Sequence, residues 1–237
     1  MALSAAVLWR WLGPAKAVPE APADPQAVAR VLDHADHPDA MLALTGDKRF
    51  LLADESDGGG EDAMLMYQVR GASWIVMGDP VGDPAAWPGL LWRIRDMADA
   101  AQGRLLLYQI SAPVLDLAIG MGLHIVKYGE EAFVDLPDFT LETPRLRSLR
   151  KGERATARRG VTFRVIPAAA VPVILDELAE ISDDWLAAKG QAEKGFSLGR
   201  FDRVYLTHFD IAVAMVEDRI VAFANLWLTH NREGASI

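Results

Sequence analysis

The chain contains no cysteine, which excludes disulfides, thiolate zinc sites and thiol nucleophiles and makes a reducing compartment the simplest setting. Histidine is sparse. The five residues, His34, His37, His124, His208 and His230, form no H-E-x-x-H arrangement. His34 and His37 stand three apart in a short polar segment with Asp33, Asp36 and Asp39, which reads as a solvated loop rather than a metal site. No apolar run is long enough to span a bilayer. The opening segment, MALSAAVLWRWLGP, lacks a positive charge ahead of its apolar run and makes a poor signal peptide. Trp9, Arg10, Trp11 and Lys16 match the cytoplasmic end of a membrane helix, with an ordinary amphipathic start as the alternative. Neither G-x-x-x-x-G-K-[ST] nor a dinucleotide-binding glycine pattern occurs.

What is present is a chain of 237 residues, half of them apolar, sufficient for a sizeable core and far from a disordered composition. Its net charge is −9, yet residues 145–160, RLRSLRKGERATARRG, hold seven Arg/Lys against one Glu. The positive charge is therefore a local device. A protein that coats nucleic acid non-specifically is basic throughout, whereas a local patch suits a defined phosphate-bearing ligand. As a helix, at about 100° per residue, the segment gathers Arg147, Arg150, Lys151, Arg154 and Arg158 into one stripe, with Leu146 and Leu149 turned away toward the protein. Like charges at i, i+4 repel, so the stripe calls for an anion, and a solvated face is the plain alternative. Arginine's planar fork suits phosphate, in nucleic acid or in lipid head groups. No aromatic residue interleaves with the arginines, so stacking on unpaired bases is not indicated.

Along the chain, Pro19, Pro22 and Pro25 mark a linker over residues 17–25, and PQAVARVLDHA follows with helical spacing. FLLADE, AMLMYQV and SWIVMGDP read as a meander of strands. A helix is expected over about 84–101, then RLLLYQI as a buried strand, a short helix over 113–121, and two further strands, HIVKYGE and AFVDLP. Past the basic segment come a strand (VTFRVIP), a long helix (VPVILDELAEISDDWLAAK) and two strands turning at Glu217 and Asp218. The class is α+β, helices over an open, mostly antiparallel sheet, and the second unit looks like a truncated copy of the first.

Two further stretches bear on chemistry. In KGQAEKGFSLGRFD, Gly190, Gly195 and Gly199 with Lys194, Ser197 and Arg200 could form a loop presenting backbone N–H groups to an anion or carbonyl, leading into a helix through Tyr205. A plain connecting loop fits equally well. MGDPVGDPAAWP reads as structural, with Asp83 capping the helix that opens at Pro84. Glu130 and Glu131, adjacent on an expected strand, point to opposite faces and do not form a catalytic carboxylate pair.

TGDKRFLL, YQVRGASWIVMGDPVG, WRIRDMAD, YQISAPVLDLAIGMGLHIVKYGEEAFVDL, EKGFSLGRFD and IVAFANLW, in this order, resemble the cytoplasmic domain of the bacterial phosphatidylglycerol lysyltransferases, the multiple peptide resistance factor family. The resemblance runs from about Asp36 to the last residue. It implies tandem acetyltransferase-like (GNAT) folds joined by a basic helix. The expected division is a membrane-helix stub and linker over 1–24, a first fold over 25–140, the basic connecting helix over 141–160, and a second, truncated fold over 161–237. The implied activity is transfer of lysine or alanine from aminoacyl-tRNA to phosphatidylglycerol, on the cytoplasmic side of the bacterial inner membrane. That reaction lowers the membrane's negative charge and favours resistance to cationic antimicrobial peptides. No cofactor or metal is implied. The implied partners are aminoacyl-tRNA, phosphatidylglycerol and a membrane flippase domain of the same full-length protein, with room for a homo-oligomer.

By motif position, Lys194, Arg200 and Tyr205 would stand at the reaction site, with Ser197 and Gly199 beside them and the stripe of Arg147, Arg150, Lys151, Arg154 and Arg158 binding substrate. A D-L-M-R-Y type strand that the family places after the hairpin is absent before Ile237, so the 237-residue chain is expected to be inactive alone. Two other classes remain as alternatives. One is a membrane-tethered anion-binding platform without catalysis. The other is an acyl-coenzyme A-dependent N-acyltransferase, for which no phosphate-cradling R/Q-x-x-G-x-G/A turn is found.

Overall fold

The computed structural model describes residues 23–60, 62–190, 193 and 195–237. Trp9, Trp11 and Lys194 lie outside the described residues, and so do the membrane-stub and pocket-edge expectations attached to them. Among the described residues no helix is long and apolar enough to cross a membrane. Mixed helices and open sheets give an α+β architecture, divided into two compact units.

The first unit holds the described residues up to Ile125, together with Phe196–Leu198 and Leu228–Gly234. Helix α1 (Pro25–Leu32) starts where the sequence sets Pro at the first helical position behind Asp24, whose carboxylate accepts from the Gln26 N–H at 3.0 Å. The sheet contains β1 (Arg49–Leu52), β2 (Ala63–Arg70), β3 (Ser73–Met77), β4 (Val81–Gly82) and β5 (Arg104–Tyr108). Its order is β1-β2-β3-β5, with β4 also paired to β2. The β1, β2 and β3 pairings are antiparallel, as the meander predicted, whereas β3 and β5 run parallel. Helix α2 (Trp87–Ala100) provides the crossover between them.

Strand β2 is buried on both faces, because α1 covers one side of the sheet and α2 the other. Leu65 and Tyr67 pack with Leu90, Leu91 and Ile94 of α2, and by the pleat Met64 and Met66 face the opposite side. Gly89 lets α2 approach the turn at Asp57, since a Cβ there would lie 2.5 Å from the Asp57 Cα. The buried Asp57 carboxylate then meets Arg93, which also reaches Asp54 at 3.0 Å and the Leu52 carbonyl at 3.2 Å. Strand β5 is an edge strand with Leu106 half exposed, not the buried strand expected. Helix α3 (Ala112–Gly120) follows it.

In the second unit, helix α4 (Arg147–Arg158) leads into β6 (Thr162–Ile166), α5 (Leu175–Lys189), the short α6 (Arg203–Leu206) and the hairpin β7 (Ile211–Val216) and β8 (Arg219–Asn225). These strands form an antiparallel sheet ordered β6-β7-β8. Glu217 and Asp218 both adopt positive φ, 48° and 65°, as a two-residue hairpin turn requires. Leu178 of α5 is buried with Ile211, Val213 and Ile220, and the Ile220 N–H donates to Glu177 at 2.7 Å.

One expectation fails outright. HIVKYGE and AFVDLP are not strands: residues 124–135 carry neither helix nor strand, and their large apolar side chains face solvent. The residue types favour strand, but a strand exists only with a hydrogen-bonding neighbour, and none flanks this segment among the described residues.

Candidate functional site

Helix α4 forms over twelve residues, within the stretch where the resemblance implied a basic helix, and buries none of them. Arg147, Lys151, Arg154 and Arg158 are exposed, and no ion pair holds any of them among the described residues. Arg150 differs. It turns back to donate to the Leu141 carbonyl, stands 3.6 Å from the Glu142 carboxylate and keeps only 20% of its side chain in water. Four members of the stripe are thus available to an anion, and the fifth fastens the chain leading into the helix. Leu146 is half-buried, but Leu149, expected to face the protein, is 57% exposed. An exposed leucine beside free cations is a mixed apolar and cationic surface, suited to meeting an amphipathic partner.

The loop after α5 opens at Gly190, whose φ of 58° ends the helix in the left-handed conformation. Gly195 and Phe196 continue with φ of 52° and 36°, and Gly199 has 71°. For Phe196 this is an unusual conformation for a bulky side chain. Glu193 accepts from the Phe201 N–H at 2.7 Å and spans the loop. Ser197 is half-buried and grouped with the first unit, whereas Gly199 (buried) and Arg200 (exposed) belong to the second. Tyr205 sits on α6, whose N-terminus Asp202 caps by accepting from the Tyr205 N–H at 2.9 Å. Its ring is 3% exposed and packs edge-on against Phe209, centroids 4.8 Å apart, which is a core position rather than a surface that substrate could reach.

Sequence reasoning missed a polar cluster inside the first unit. Lys48 has no side-chain exposure; its Nζ lies 2.6 Å from the Asp47 carboxylate. Asp47 also accepts from the Thr45 hydroxyl at 2.5 Å and from the Gln68 amide at 2.8 Å. Burial pushes the Asp47 carboxyl up, but hydrogen bonds from Lys48, Thr45 and Gln68 outweigh it and leave its pKa below the ordinary 3.8. Burial pulls Lys48 below the ordinary lysine value against the attraction of Asp47. The Phe196 ring lies 5.2 Å from Lys48 Nζ, within cation–π range, and 5.9 Å from the Tyr108 ring. The only available signal was that Thr45, Asp47 and Lys48 all fall within TGDKRFLL.

The segment GDPVGDP is structural, as expected. Asp83 accepts from the Ala85 N–H at 2.9 Å and the Gly60 N–H at 3.2 Å, and these donors hold its pKa below the carboxylate range. Asp79 accepts from the Ser111 N–H at 2.8 Å and from its hydroxyl, fastening the end of β3 to the start of α3. His37 caps its own turn, its Nδ1 3.3 Å from the Asp39 N–H.

Comparison with known proteins identifies the lineage. The family model described as "Phosphatidylglycerol lysyltransferase, C-terminal" matches residues 29–237. A phosphatidylglycerol lysyltransferase of Bacillus subtilis is 37% identical over 206 residues, 86% of this chain and 23% of the relative. That of Staphylococcus aureus strain MRSA252 is 30% identical over 201 residues, 83% of this chain and 23% of the relative. This chain thus spans about a quarter of the length of these relatives. Among solved structures, the C-terminal domain of an Agrobacterium fabrum protein assigned as a lysylphosphatidylglycerol synthetase superposes with TM-score 0.81 at 39% identity, covering 89% of this chain and 66% of that one. The L-PGS structure from Bacillus licheniformis gives 0.79 at 34% identity, covering 91% and 64%. With sequence and fold in agreement over most of its length, the chain belongs to the phosphatidylglycerol lysyltransferase C-terminal family.

Proposed function

We propose that the chain is part of an enzyme that transfers an aminoacyl group, lysine or alanine, from aminoacyl-tRNA to the glycerol hydroxyl of phosphatidylglycerol. Four cations on one exposed helix, with no ion pair among the described residues in a chain of net charge −9, are the observation that carries this reading. Both substrates bear phosphate, and the family relatives are named for this lipid. The chemistry is a transesterification. The lipid hydroxyl oxygen bonds to the ester carbonyl carbon, the bond from that carbon to the tRNA ribose oxygen breaks, and the proton passes from the lipid hydroxyl through a base to the departing ribose oxygen. The ester is already activated, so the protein must supply a base, oxyanion donors and alignment.

In this reading Lys194, Ser197, Gly199 and Arg200 border the reaction site, and the N–H groups of the left-handed loop are the natural oxyanion donors. Tyr205, buried here, packs against Phe209 and anchors α6. Along the sequence, 25–140 and 161–237 would be two acetyltransferase-like folds and 141–160 the basic connecting helix, working on the cytoplasmic face of the inner membrane behind a flippase domain of the full-length protein. A second reading, a membrane-tethered platform that binds anions without chemistry, is favoured by the same exposed stripe.

The test is the triple charge reversal Lys151→Glu, Arg154→Glu and Arg158→Glu in the full-length enzyme, with aminoacyl-lipid yield and tRNA affinity both measured. Each removed phosphate contact costs roughly a factor of several in affinity, so the triple variant should lose at least about a hundredfold. Arg150 is left alone because it supports the fold. Unchanged affinity and yield would return α4 to an ordinary solvated face. Lost affinity without any wild-type lipid product would favour the platform.

A further inference from the structure

Lys48 is an unexpected occupant of the first unit's interior. Its side chain has no exposure, and Leu42, Ala43 and Leu51, close to it in sequence, are buried apolar residues. An apolar side chain of similar length would fill such a place at less cost, since a buried ammonium must be stripped of water and then compensated. The compensation is thorough. Asp47 lies 2.6 Å from Nζ and Thr45 Oγ1 3.3 Å, while the buried Gln68 amide donates to the other Asp47 oxygen at 2.8 Å. A charge retained under these conditions needs a use that an apolar residue could not supply.

A second contact of the same ammonium supplies that use. The Phe196 ring has its centroid 5.2 Å from Lys48 Nζ and 5.9 Å from that of the Tyr108 ring, so a cation and an aromatic ring receive it together. Phe196 is half-buried and has a φ of 36°, behind Gly195 at 52°. Glycine accepts the left-handed region freely, but a bulky residue stays there only where its surroundings hold it. Ser197 is the next residue. Lys48, Tyr108, Phe196 and Ser197 all fall in the first compact unit, so the seat and the hydroxyl beside it belong to one body.

We propose that Lys48 is a positioning residue for the aminoacyl transfer: held by Asp47, it seats the Phe196 ring together with Tyr108, and that seat fixes the left-handed backbone at 195–196 and the place of Ser197. The inference rests on the proposed reading that this loop borders the reaction site. Lys48, without exposure, acts through Phe196 and not by touching substrate. Without the seat, Phe196 relaxes toward the commoner backbone conformations and carries the neighbouring N–H groups and the Ser197 hydroxyl with it. Donors displaced in this way lose their effect on the transition state more than on binding, so the loss falls on kcat and not on KM.

The experiment uses the full-length enzyme, with hydrogen–deuterium exchange followed over Phe196–Leu198 and aminoacyl-lipid formation measured as kcat and KM for both substrates. Phe196→Leu removes the ring face and keeps an apolar side chain. Lys48→Met with Asp47→Asn removes both charges of the pair, so that neither is left buried alone, and Phe196→Tyr keeps the ring. The first two variants should exchange at least about tenfold faster over Phe196–Leu198 and lose at least about tenfold in kcat with KM within about twofold. Phe196→Tyr should match the wild type in both respects. Unchanged exchange in both of the first two variants would overturn the inference and leave the proposed reaction standing. Faster exchange at wild-type kcat would mean a loop that is seated but stands away from the chemistry, which overturns the placing of the reaction site and the positioning role with it. A raised KM at unchanged kcat would make the loop a binding element and overturn the positioning role alone. Exchange quickened throughout the first unit in both variants, β2 included, would reduce Lys48 to a support of the fold and overturn it as well.

Discussion

At the residue scale, chemically identical side chains have different tasks because of what lies within a few ångströms. Arg150 is fastened to Leu141 and Glu142, whereas Arg154, one turn on, has no ion-pair partner among the described residues. Asp57 and Arg93 are 36 residues apart in sequence and meet across the α2 interface. Asp47 and Lys48 show how a buried pair responds to pH. The Asp47 pKa is lower in the fold than its ordinary 3.8. Its stabilising contribution is therefore complete above that ordinary value and is lost as pH falls through the lower, folded value. Asp47→Asn should flatten the acid limb of the stability profile below about pH 4. At pH 7 the same variant should cost roughly 2 kcal/mol by leaving the Lys48 ammonium buried without its partner. Urea unfolding followed from pH 2 to 7 checks both statements, and an unchanged acid limb would show that Asp47 is not the titrating group. None of this was legible in the sequence, since Gln68 reaches Asp47 from 21 residues away.

At the element scale, legibility followed locality. Helix α4 was legible through the family resemblance, and its stripe through the spacing of its cations, which acts within a few turns. The β7–β8 hairpin was readable for the same reason, from two polar residues between two apolar runs. Asp218 occupies a left-handed position that glycine would hold with less strain. Asp218→Gly should therefore stabilise the chain by about 0.5–1 kcal/mol, visible as a higher urea midpoint at unchanged slope. A lower midpoint would mean that the aspartate makes a contact that outweighs its backbone strain. Residues 124–135 mark the limit of such reading, because a strand is completed by its neighbours and not by its own composition. The exposed edge of β5 makes the same point. RLLLY is apolar enough to be buried, yet among the described residues only β3 pairs with it.

At the scale of the whole molecule, the chain is a family member that spans only part of its relatives' length, with two units that each have a sheet and a packed core. The proposed reaction needs a base and oxyanion donors aligned on one ester, and alignment to within a fraction of an ångström is the demanding part.

The sequence by itself determined the α+β class, the helix that carries the cationic stripe, the cap at Asp83, the turn at Glu217 and Asp218, and the family. Each depends on periodicity, short-range hydrogen bonding or the order of motifs along the chain. Only the tertiary structure decided which arginine is tied down, that Tyr205 is a core residue, that Lys48 is buried on Asp47 beneath Phe196, and that residues 124–135 lack a strand partner among the described residues. Those outcomes are set by side chains and backbone far apart in sequence, whose meeting depends on packing rather than on local residue preference.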